Sequence, residues 1–398
     1  SKVYPLELSH TTSVAHAGTH TAACGLAVYR GNAIPDLKGN LFVCEPTAQL
    51  VTRSRLIENG PSFRAERIGD KTDFIVSSDE WSRPVNLRNG PDGCLYLCDI
   101  YRRFIDHSRF FPEAFSKSHY MRAGFDHGRI YRLIPRDSSP PPAEPLPQSS
   151  EALVEELKSP NAWQRIHAQR LIVESGDKSV APLLESLLDR SPLPETRVHA
   201  FGALLGLEAL NERHFKTALG DPETGVAENA LLAASPGQAE QEILELARSR
   251  NDRASFLALI YLSQFQRRNE KALDHIHQLL HATKGGANPW NRKAILGGYQ
   301  IDVGSILSRM LTSPVPPTGE PAQSDERLNM YREFSAAVAA SSSTSQLDAI
   351  LQAMESVTDQ DHQLAIAKGF ATGLPRSNFK TKNPVSYTHL RAHETSPH

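Results

Sequence analysis

The sequence predicts a multidomain protein in which a β region comes first and a helical region follows, and three observations lead to this fold class. Short apolar runs between turn residues fill residues 1–136. A proline-rich stretch, residues 137–149, comes next and is typical of a semi-rigid linker. Beyond residue 150, apolar residues recur with helical spacing.

The β region contains five runs of aliphatic, aromatic and β-branched residues, separated by Gly, Pro, Asn or Asp. These runs are residues 25–29, 41–44, 49–52, 74–76 and 94–98. One of them recurs: GNLFVCE (39–45) is matched by GCLYLCD (93–99) about 54 residues later, near the blade period of a β-propeller. The region is therefore predicted to be the C-terminal part of a β-propeller, about two blades, and a small independent sheet that repeats once is the alternative.

Helical periodicity is clearest where Val180, Leu183, Leu184, Leu187 and Leu188 form one apolar stripe. Shorter stripes, interpreted as packing faces, are Val198/Phe201/Leu205, Leu273/Ile276/Leu280, Tyr331/Phe334/Val338 and Leu347/Ile350/Leu351/Met354. Residues 150–311 and 325–384 are both predicted to be helical.

The helices also repeat in sequence. The pattern Pro-x4-Arg-x2-Ala begins at Pro160 and at Pro192, and returns at Pro222 with Ala in place of Arg. This order indicates a helix that ends before a proline, a turn, and a second helix in which a small Ala allows close packing. The array resembles a HEAT-like α-solenoid, interrupted by the proline-rich residues 312–324. Its arginines are expected to be structural, pairing with turn carboxylates such as Asp189.

Composition excludes two classes of protein. The formal net charge is −2 over 398 residues and no basic stripe occurs, so a nucleic-acid partner is not expected. No run approaches the roughly 20 apolar residues of a membrane span, so no transmembrane segment is expected in this chain.

The two ends of the sequence lead to the expectation that it is a fragment of a longer exported protein. The chain begins at Ser1 without a leader, and too few blades are present to close a propeller. Residues 385–398 resemble the translation of a transposase end used in sequencing libraries, so they are expected to be a non-native tail. A metal-binding tract is the alternative for that His-containing tail, but no role is assigned to His389, His393 or His398.

The spacing of the four cysteines determines which of them could form a disulfide. Cys94 and Cys98 are four positions apart on one predicted strand, about 13 Å, which is too far for a disulfide. Cys24 and Cys44 lie on successive predicted strands, so either a disulfide in an oxidising compartment or two buried thiols fits the sequence.

Three histidines near the start of the sequence are possible metal ligands. His10, His16 and His20 cluster there; the spacing of His16 and His20 would suit a metal only on a helix, and the flanking Thr, Ala and Gly favour a loop or strand.

The predicted functional site consists of polar residues near the ends of the later strands. Arg83 and Arg102 are predicted to bind a carboxylated cofactor or ligand in a bidentate manner. Asp99, which ends a predicted strand, and Asp79 are predicted to contribute to the same cofactor-binding site. His107 is the candidate catalytic proton acceptor. The alternative is that these acidic and basic side chains pair among themselves to fix irregular loops.

Several motifs of the β region resemble those of the planctomycete-type membrane-bound dehydrogenases. They are TAACGLAVYR (21–30), GNLFVCEP (39–46), SSDEWSRPV (77–85), GPDGCLYLCDIYR (90–102) and GRIYR (128–132). The chain departs from the family at residues 82–84, Ser-Arg-Pro in place of Phe-Arg-Pro, and at residues 106–108, Asp-His-Ser in place of Glu-His-Pro.

The resemblance implies an exported protein of the periplasm or cell envelope, with a propeller similar to the quinoprotein glucose and sorbosone dehydrogenases, HEAT repeats, and often a cytochrome c domain. It implies oxidation of a sugar or alcohol, pyrroloquinoline quinone (PQQ) and calcium as cofactors of the complete protein, and a cytochrome or other electron acceptor as partner. Haem c would belong to a domain outside this chain, and the chain alone is expected to be inactive. The alternative is a non-catalytic scaffold of propeller and solenoid that binds protein or polysaccharide.

Overall fold

A computed structural model describes residues 20, 22–69, 72–105, 107–136, 139, 142–235, 237–249, 251–265, 270–281, 288–298, 302–312, 321–341 and 344–376. Its strands precede its helices, apart from one short helix within the β region, which confirms the β-then-α fold class. The predictions for His10, His16 and the tail 385–398 lie outside the described residues. The chain forms two compact units, Ser1–Leu210 and Asn211–His398.

The first sheet of the Ser1–Leu210 unit is an antiparallel meander. Its strands are β1 (Cys24–Val28), β2 (Leu41–Glu45), β3 (Leu50–Asn59) and β4 (Ser62–Arg67), and the short β5 (Ile75–Val76) pairs with the start of β3. Phe42 and Cys44 of β2 are buried while Leu41 and Val43 are half-buried, as a strand with one buried face requires. By contrast, β4 is exposed along almost its whole length, so it pairs through its backbone without joining the core.

The second sheet of this unit is a shorter antiparallel meander. It consists of β6 (Pro84–Asn89), β7 (Leu95–Asp99) and β8 (Arg129–Leu133). The β6–β7 turn is fixed by the buried Asp92, which accepts hydrogen bonds from the Cys94 amide at 3.0 Å and the Tyr96 hydroxyl at 2.9 Å. Gly93 supplies the positive φ of +75° that the turn needs. The strong turn predicted at residues 89–93 therefore has a clear physical basis.

The two meanders pack together through their first strands, β1 and β6. At the contact Gly25 has a φ of +56°, and a Cβ there would overlap the backbone of Val85 and Asn86. Side chains from both sheets form one core, which includes Phe42 and Leu87. Glycine at residue 25 thus allows an approach that no larger residue permits.

The helices of this unit begin with α1 (Glu113–Ser118), which lies within the β region, and continue after the linker with α2 (Ser150–Glu156), α3 (Ala162–Ser175), α4 (Ala181–Arg190) and α5 (Pro194–Gly206). The helices after the linker pack in pairs, α2 on α3 and α4 on α5. The stripe predicted for α4 is narrower than expected: Val180, Leu184 and Leu188 are buried, whereas Leu183 is 45% exposed. Burial therefore follows a single i, i+4 ridge, because α4 packs along one row of side chains.

The sequence repeat has a matching repeat in hydrogen bonding. Arg165 Nη1 donates to the Ser159 carbonyl at 2.6 Å, and Arg197 Nη1 donates to the Ser191 carbonyl at 2.8 Å. Each arginine thus binds the backbone of the turn that precedes its own helix. These hydrogen bonds to backbone carbonyls give both arginines a structural role, while the predicted pairing with turn carboxylates such as Asp189 stays a prediction.

Asn161 joins the first helical pair to the second sheet. Its side-chain oxygen accepts from the Trp163 amide at 3.0 Å, which caps α3. Its Nδ2 donates to the carbonyls of Gly90 and Pro91 at 3.1 and 3.0 Å. The Ala162 amide also donates to the Arg30 carbonyl at 3.1 Å. The start of α3 is therefore hydrogen-bonded to the β region, despite the proline-rich stretch between them.

The Asn211–His398 unit is helical throughout its described residues, and each of several helices packs on the next and on the next but one. Its helices are α6 (Glu212–Leu219), α7 (Thr224–Ala233), α8 (Glu240–Ala247), α9 (Asp252–Phe265), α10 (Glu270–His281), α11 (Pro289–Gly297), α12 (Val303–Thr312), α13 (Pro321–Ser341), α14 (Thr344–Met354) and α15 (Gln360–Gly373). The predicted stripes Leu273/Ile276/Leu280 and Tyr331/Phe334/Val338 are buried. The predicted interruption at 312–324 is too long, because residue 312 still belongs to α12 and residues 321–324 already belong to α13; residues 313–320 lie outside the described part.

Helices α13 and α15 pack closely because α15 presents glycines to its neighbour. A Cβ at Gly369 would overlap the Arg332 carbonyl and lie 2.7 Å from Ser335 Cβ, and one at Gly373 would overlap the Ala336 carbonyl. Backbone atoms cannot move aside as a flexible side chain can. The two glycines therefore set the distance between these helices.

Replacing Gly369 by alanine is expected to lower the free energy of unfolding by about 1–3 kcal/mol, because the added methyl group overpacks the α13–α15 contact. Gly225 of α7 is the matched control, since a Cβ there meets nothing within 4 Å. Gly225→Ala should be neutral or stabilise the protein by up to about 1 kcal/mol, as alanine favours the helix. Urea unfolding followed by circular dichroism measures both changes. Equal effects of the two substitutions would show that helix propensity, rather than packing, decides the outcome.

Among the helices of the described residues, none combines the length and the apolar character that a membrane crossing requires.

Candidate functional site

The polar residues of interest meet at one edge of the second sheet. The register pairs Pro84 with Asp99 on β6 and β7, and Asp99 with Arg129 on β7 and β8. The start of β6, the end of β7 and the start of β8 therefore lie side by side, as antiparallel pairing requires. Arg83 precedes β6 and reaches the β2–β3 turn of the first sheet at Pro46.

Asp99 is the most enclosed acidic group of this edge, with its side chain only 1% exposed. Its Oδ1 accepts from the backbone amides of Arg83 at 2.7 Å and Tyr101 at 2.8 Å. Its Oδ2 accepts from Ser82 Oγ at 3.1 Å and from Arg129 Nη2 at 2.8 Å. Burial alone would raise the pKa of Asp99, but the hydrogen bonds from Arg83, Arg129 and Tyr101 outweigh it, and the pKa is lowered. Asp99 is thus a carboxylate whose acceptor positions are already filled by the protein.

Arg129 is a central residue of the site that sequence reasoning missed. Its guanidinium contacts both predicted acidic residues, Asp99 and, at 3.2 Å, Asp79. It also lies over the Tyr101 ring, 3.9 Å from the centroid. Arg129 lies in the GRIYR motif of the sequence. Its pairing with Asp99 becomes visible only in the strand register, because the register places the two residues opposite each other.

Arg83 is buried, 2% exposed, and its guanidinium is bound to backbone carbonyls. Nε donates to the Arg102 carbonyl at 2.8 Å, Nη1 to the Pro46 carbonyl at 3.0 Å, and Nη2 to the Arg103 carbonyl. These contacts connect the β2–β3 turn with the segment that follows β7. A carboxylated ligand would have to displace them, so the geometry favours a role in fixing the loops.

Arg102 is likewise turned toward the protein's own backbone. Its Nη1 donates to the carbonyls of Ile100 at 2.8 Å, His127 at 3.0 Å and Gly124, and its Nη2 to that of Phe125 at 2.6 Å. One guanidinium therefore organises the excursion between β7 and β8. This arrangement is close to the loop-fixing alternative, except that carbonyls replace the expected carboxylates.

The remaining predicted residues lie further out. His107 is exposed and its Nδ1 accepts from the Arg109 amide at 3.2 Å, where it caps a short 3-10 turn. Asp79 is 38% exposed and, besides its ion pair with Arg129, accepts from the Trp81 amide at 3.0 Å. The structure therefore brings Asp79, Asp99 and Arg129 into direct contact, whereas His107 hydrogen-bonds to the amide of Arg109, two residues away.

A cluster of aromatic rings covers the ion pairs. The Tyr101 ring lies 5.6 Å from the Trp81 ring and 6.1 Å from the His127 ring, centroid to centroid. Tyr101 has a φ of +52°, which is uncommon for a bulky residue and marks a backbone held in place by its surroundings. We call Asp79, Trp81, Tyr101, His127 and Arg129 the ion–aromatic cluster; it is partly exposed and faces away from the core.

Residues 1–137 match the family model for a domain of unknown function (DUF7133). No curated protein matches the chain. The family match covers about a third of the sequence and corresponds to the β region, including every strand and the ion–aromatic cluster. It carries no activity, so the dehydrogenase resemblance and the roles of the five predicted site residues stay predictions.

The described residues do not fit the quinone and calcium that the resemblance implies. Both Asp99 oxygens accept hydrogen bonds from the protein, and the Arg83 guanidinium donates to backbone carbonyls. The side-chain amide of Gln49 and the hydroxyl of Thr47 have no hydrogen-bond partner within the described part of the chain, but they are neutral and buried. A Gln carbonyl and a Thr hydroxyl can complete a calcium shell but do not replace its carboxylates, and they offer no positive charge to a tricarboxylate. Within the same part of the chain, no cluster of three or more His, Cys, Asp or Glu could hold a metal.

Proposed function

We propose that the DUF7133 region and the helices after it belong to an exported quinoprotein-like dehydrogenase, and that the described β region braces its propeller without carrying the chemistry. This bracing role rests on one observation: the hydrogen-bonding groups of Asp99 and Arg83, two of the predicted site residues, are already occupied by other parts of the protein. Asp99 is bound by four residues. The guanidinium of Arg83 binds carbonyls of two backbone segments, at Pro46 and at Arg102 and Arg103. Side chains held in this way fix loops, so neither Asp99 nor Arg83 is directed at a substrate.

The arrangement of the two sheets supports the propeller part of the proposal. Blades of a propeller are small antiparallel meanders arranged around a central axis. Here two meanders pack through their first strands, and Gly25 permits the close contact. The motifs that resemble the dehydrogenases lie on the strands and loops of these meanders.

The packing within each unit supports a HEAT-like arrangement for the helices. In Asn211–His398, α7 packs on α9, α9 on α11, α11 on α13 and α13 on α15, while α6 packs on α8. Two parallel rows of helices of this kind are what stacked helical pairs produce. In the complete protein, such a surface would be available to an electron-accepting or structural partner.

The proposed activity of the complete protein is oxidation of a sugar or alcohol at the cell envelope, with transfer of the electrons to a cytochrome-type acceptor. The test is a dye-linked dehydrogenase assay of the complete protein with added PQQ and calcium, over a panel of sugars and alcohols. Activity that depends on quinone and calcium is expected, and none for residues 1–398 alone. No turnover over the panel, together with no quinone binding in a fluorescence titration, would refute the proposal.

A second candidate function, a non-catalytic scaffold that binds polysaccharide or protein, is favoured by the ion–aromatic cluster. Trp81 and Tyr101 present ring surface beside the charges of Asp79 and Arg129. Aromatic faces next to hydrogen-bonding side chains suit a sugar ring, which has an apolar face and polar edges. Binding of the intact protein to a glycan array that is lost in Trp81→Ala, with no dehydrogenase activity, would establish this alternative. Retained binding in Trp81→Ala would place the ligand elsewhere.

A further inference from the structure

Three of the four cysteines gather where the two meanders meet. Cys24 opens β1 and Cys44 is the fourth residue of β2, and the register places these two directly opposite each other. Cys44 is fully buried, and Cys24 is half-buried and packs against the same core cluster. Cys98 of β7 is close enough to influence the Cys44 thiol electrostatically. All four cysteines are free thiols in this structure.

The geometry points to a redox-active pair: we propose that Cys24 and Cys44 form a cross-strand disulfide when the protein meets a disulfide-containing oxidant. Directly opposite residues of an antiparallel pair have Cα atoms about 4.5–5.5 Å apart. That separation lies inside the window of about 4.4–6.8 Å in which a disulfide can close. Their two side chains also project from the same face of the sheet, because opposite residues share a face.

The bulge beside Cys24 provides the adjustment that closure needs. The β1–β2 register shifts between Cys24 and Ala27, so the first residue of β1 is not fixed by continuous pairing. Gly25, at a φ of +56°, lies within this bulge. The half-buried Cys24 is therefore free to approach the enclosed Cys44 without a shift of the core strand.

The order of the chemical steps follows from exposure. The Cys24 thiolate attacks a sulfur of an external disulfide such as oxidised glutathione, which forms a mixed disulfide and releases one thiolate. Cys44 then loses its proton to solvent and attacks the Cys24 sulfur, and a second external thiolate leaves. Two protein thiols are thus oxidised and one external disulfide is reduced to two thiols.

Oxidation should be slow at neutral pH. Burial, followed by the neighbouring Cys24 and Cys98 thiols, raises the pKa of Cys44 to about 12. Burial, followed by Glu45, also raises the pKa of Cys24. Because only the thiolate attacks, the rate should increase with pH up to and beyond pH 9. Once formed, the disulfide would lie at the edge of the core with its Cys24 sulfur half-buried, so soluble thiols should reduce it, but slowly.

The test is oxidation of the intact protein with oxidised glutathione, followed by non-reducing peptide mapping by mass spectrometry. A peptide pair joined through Cys24 and Cys44 is expected, with a loss of about 2 Da and two fewer titratable thiols per chain. The midpoint of thermal unfolding should increase by several degrees on oxidation and return on treatment with dithiothreitol, since the crosslink constrains the unfolded chain.

Two variants sharpen this test. Cys24→Ser should abolish both the crosslink and the thermal shift, whereas the control Cys94→Ser should retain both, because Cys94 lies at the β6–β7 turn. A persistent glutathione adduct on Cys24, a Cys44–Cys98 crosslink, or four titratable thiols after prolonged oxidation at pH 9 would each overturn the proposal. Peptide mapping of the unsubstituted protein decides the matter even if a variant fails to fold. None of these outcomes depends on dehydrogenase activity.

Discussion

Replacing Asp99 by alanine is expected to lower the free energy of unfolding by about 3–5 kcal/mol, because it leaves buried donors without their acceptor. The amides of Arg83 and Tyr101 and the hydroxyl of Ser82 all donate to this carboxylate, and the Arg129 guanidinium loses a partner. The loop after β7 and the start of β6 would lose their common anchor. Guanidinium chloride unfolding, followed by tryptophan fluorescence because Trp81 lies nearby, measures the effect.

The pH dependence of the free energy of unfolding separates the contribution of the Asp99 charge from that of the side chain's size. The pKa of Asp99 is lowered in the folded protein, so its charge contributes stability above the ordinary aspartate pKa of about 4. That contribution is lost as the pH falls through the lower, folded-state pKa. Asp99→Asn, which keeps the size, should therefore destabilise the protein at pH 7 and show a flatter decline of stability below pH 4. A decline as steep as that of the unsubstituted protein would mean that another carboxylate governs acid unfolding.

Replacing Arg83 by lysine should destabilise the protein by about 2–4 kcal/mol, even though the charge is kept. A single ammonium group cannot reach the carbonyls of Pro46, Arg102 and Arg103 together, as the planar guanidinium does. Buried carbonyls would remain without donors. Chemical unfolding of purified protein measures this change, and its size tests whether Arg83 acts as a loop brace.

Arg88 provides the matched control for Arg83. It lies on β6, the strand that Arg83 directly precedes, but its side chain is exposed, so Arg88→Lys should change the free energy of unfolding by less than about 0.5 kcal/mol. If Arg83→Lys were as mild as Arg88→Lys and instead weakened binding of a carboxylated ligand, the ligand-clamp prediction would replace the bracing role.

The β region shows which strands a sequence can reveal. The predicted runs 41–44, 49–52 and 94–98 fall on β2, β3 and β7, whose apolar residues enter the core. Strand β4 was missed because SFRAER has no alternation of apolar and polar residues; it is exposed on both faces and pairs only through its backbone. Strand β8 was noticed only as a motif, since its Ile130 is 73% exposed and burial does not impose a pattern on it.

The helical region was more predictable, because helix packing depends on spacing within one segment. The buried stripe of Tyr331, Phe334 and Val338 in α13 follows directly from the sequence. Leu183 and Leu205 have the right spacing but are each 45% exposed. Which edge of a stripe is covered depends on the neighbouring helix, and a single segment does not contain that information.

The sequence indicates where the residues of the candidate site lie, but not which hydrogen-bond and ion-pair partners they have. Asp79, Asp99, Arg83 and Arg102 do lie near the ends of strands, as the sequence suggested. Their partners depend on contacts between distant segments: Asp99 meets Arg129 across the register of β7 and β8, and Arg83 meets Pro46 in the other sheet. Backbone carbonyls, the main acceptors of both arginines, leave no mark in a sequence, because every residue has one.

The hydrogen bonds of Asn161 have a consequence for how the Ser1–Leu210 unit comes apart. One amide both caps α3 and binds the Gly90 and Pro91 carbonyls, so fraying of the helix removes two bonds from the β6–β7 turn. The sheets and the first helical pairs should therefore lose structure in one cooperative transition. In amide hydrogen exchange, protection of Trp163 and of Gly93 should then disappear together as denaturant is added, and the proline-rich stretch should not act as a thermodynamic boundary.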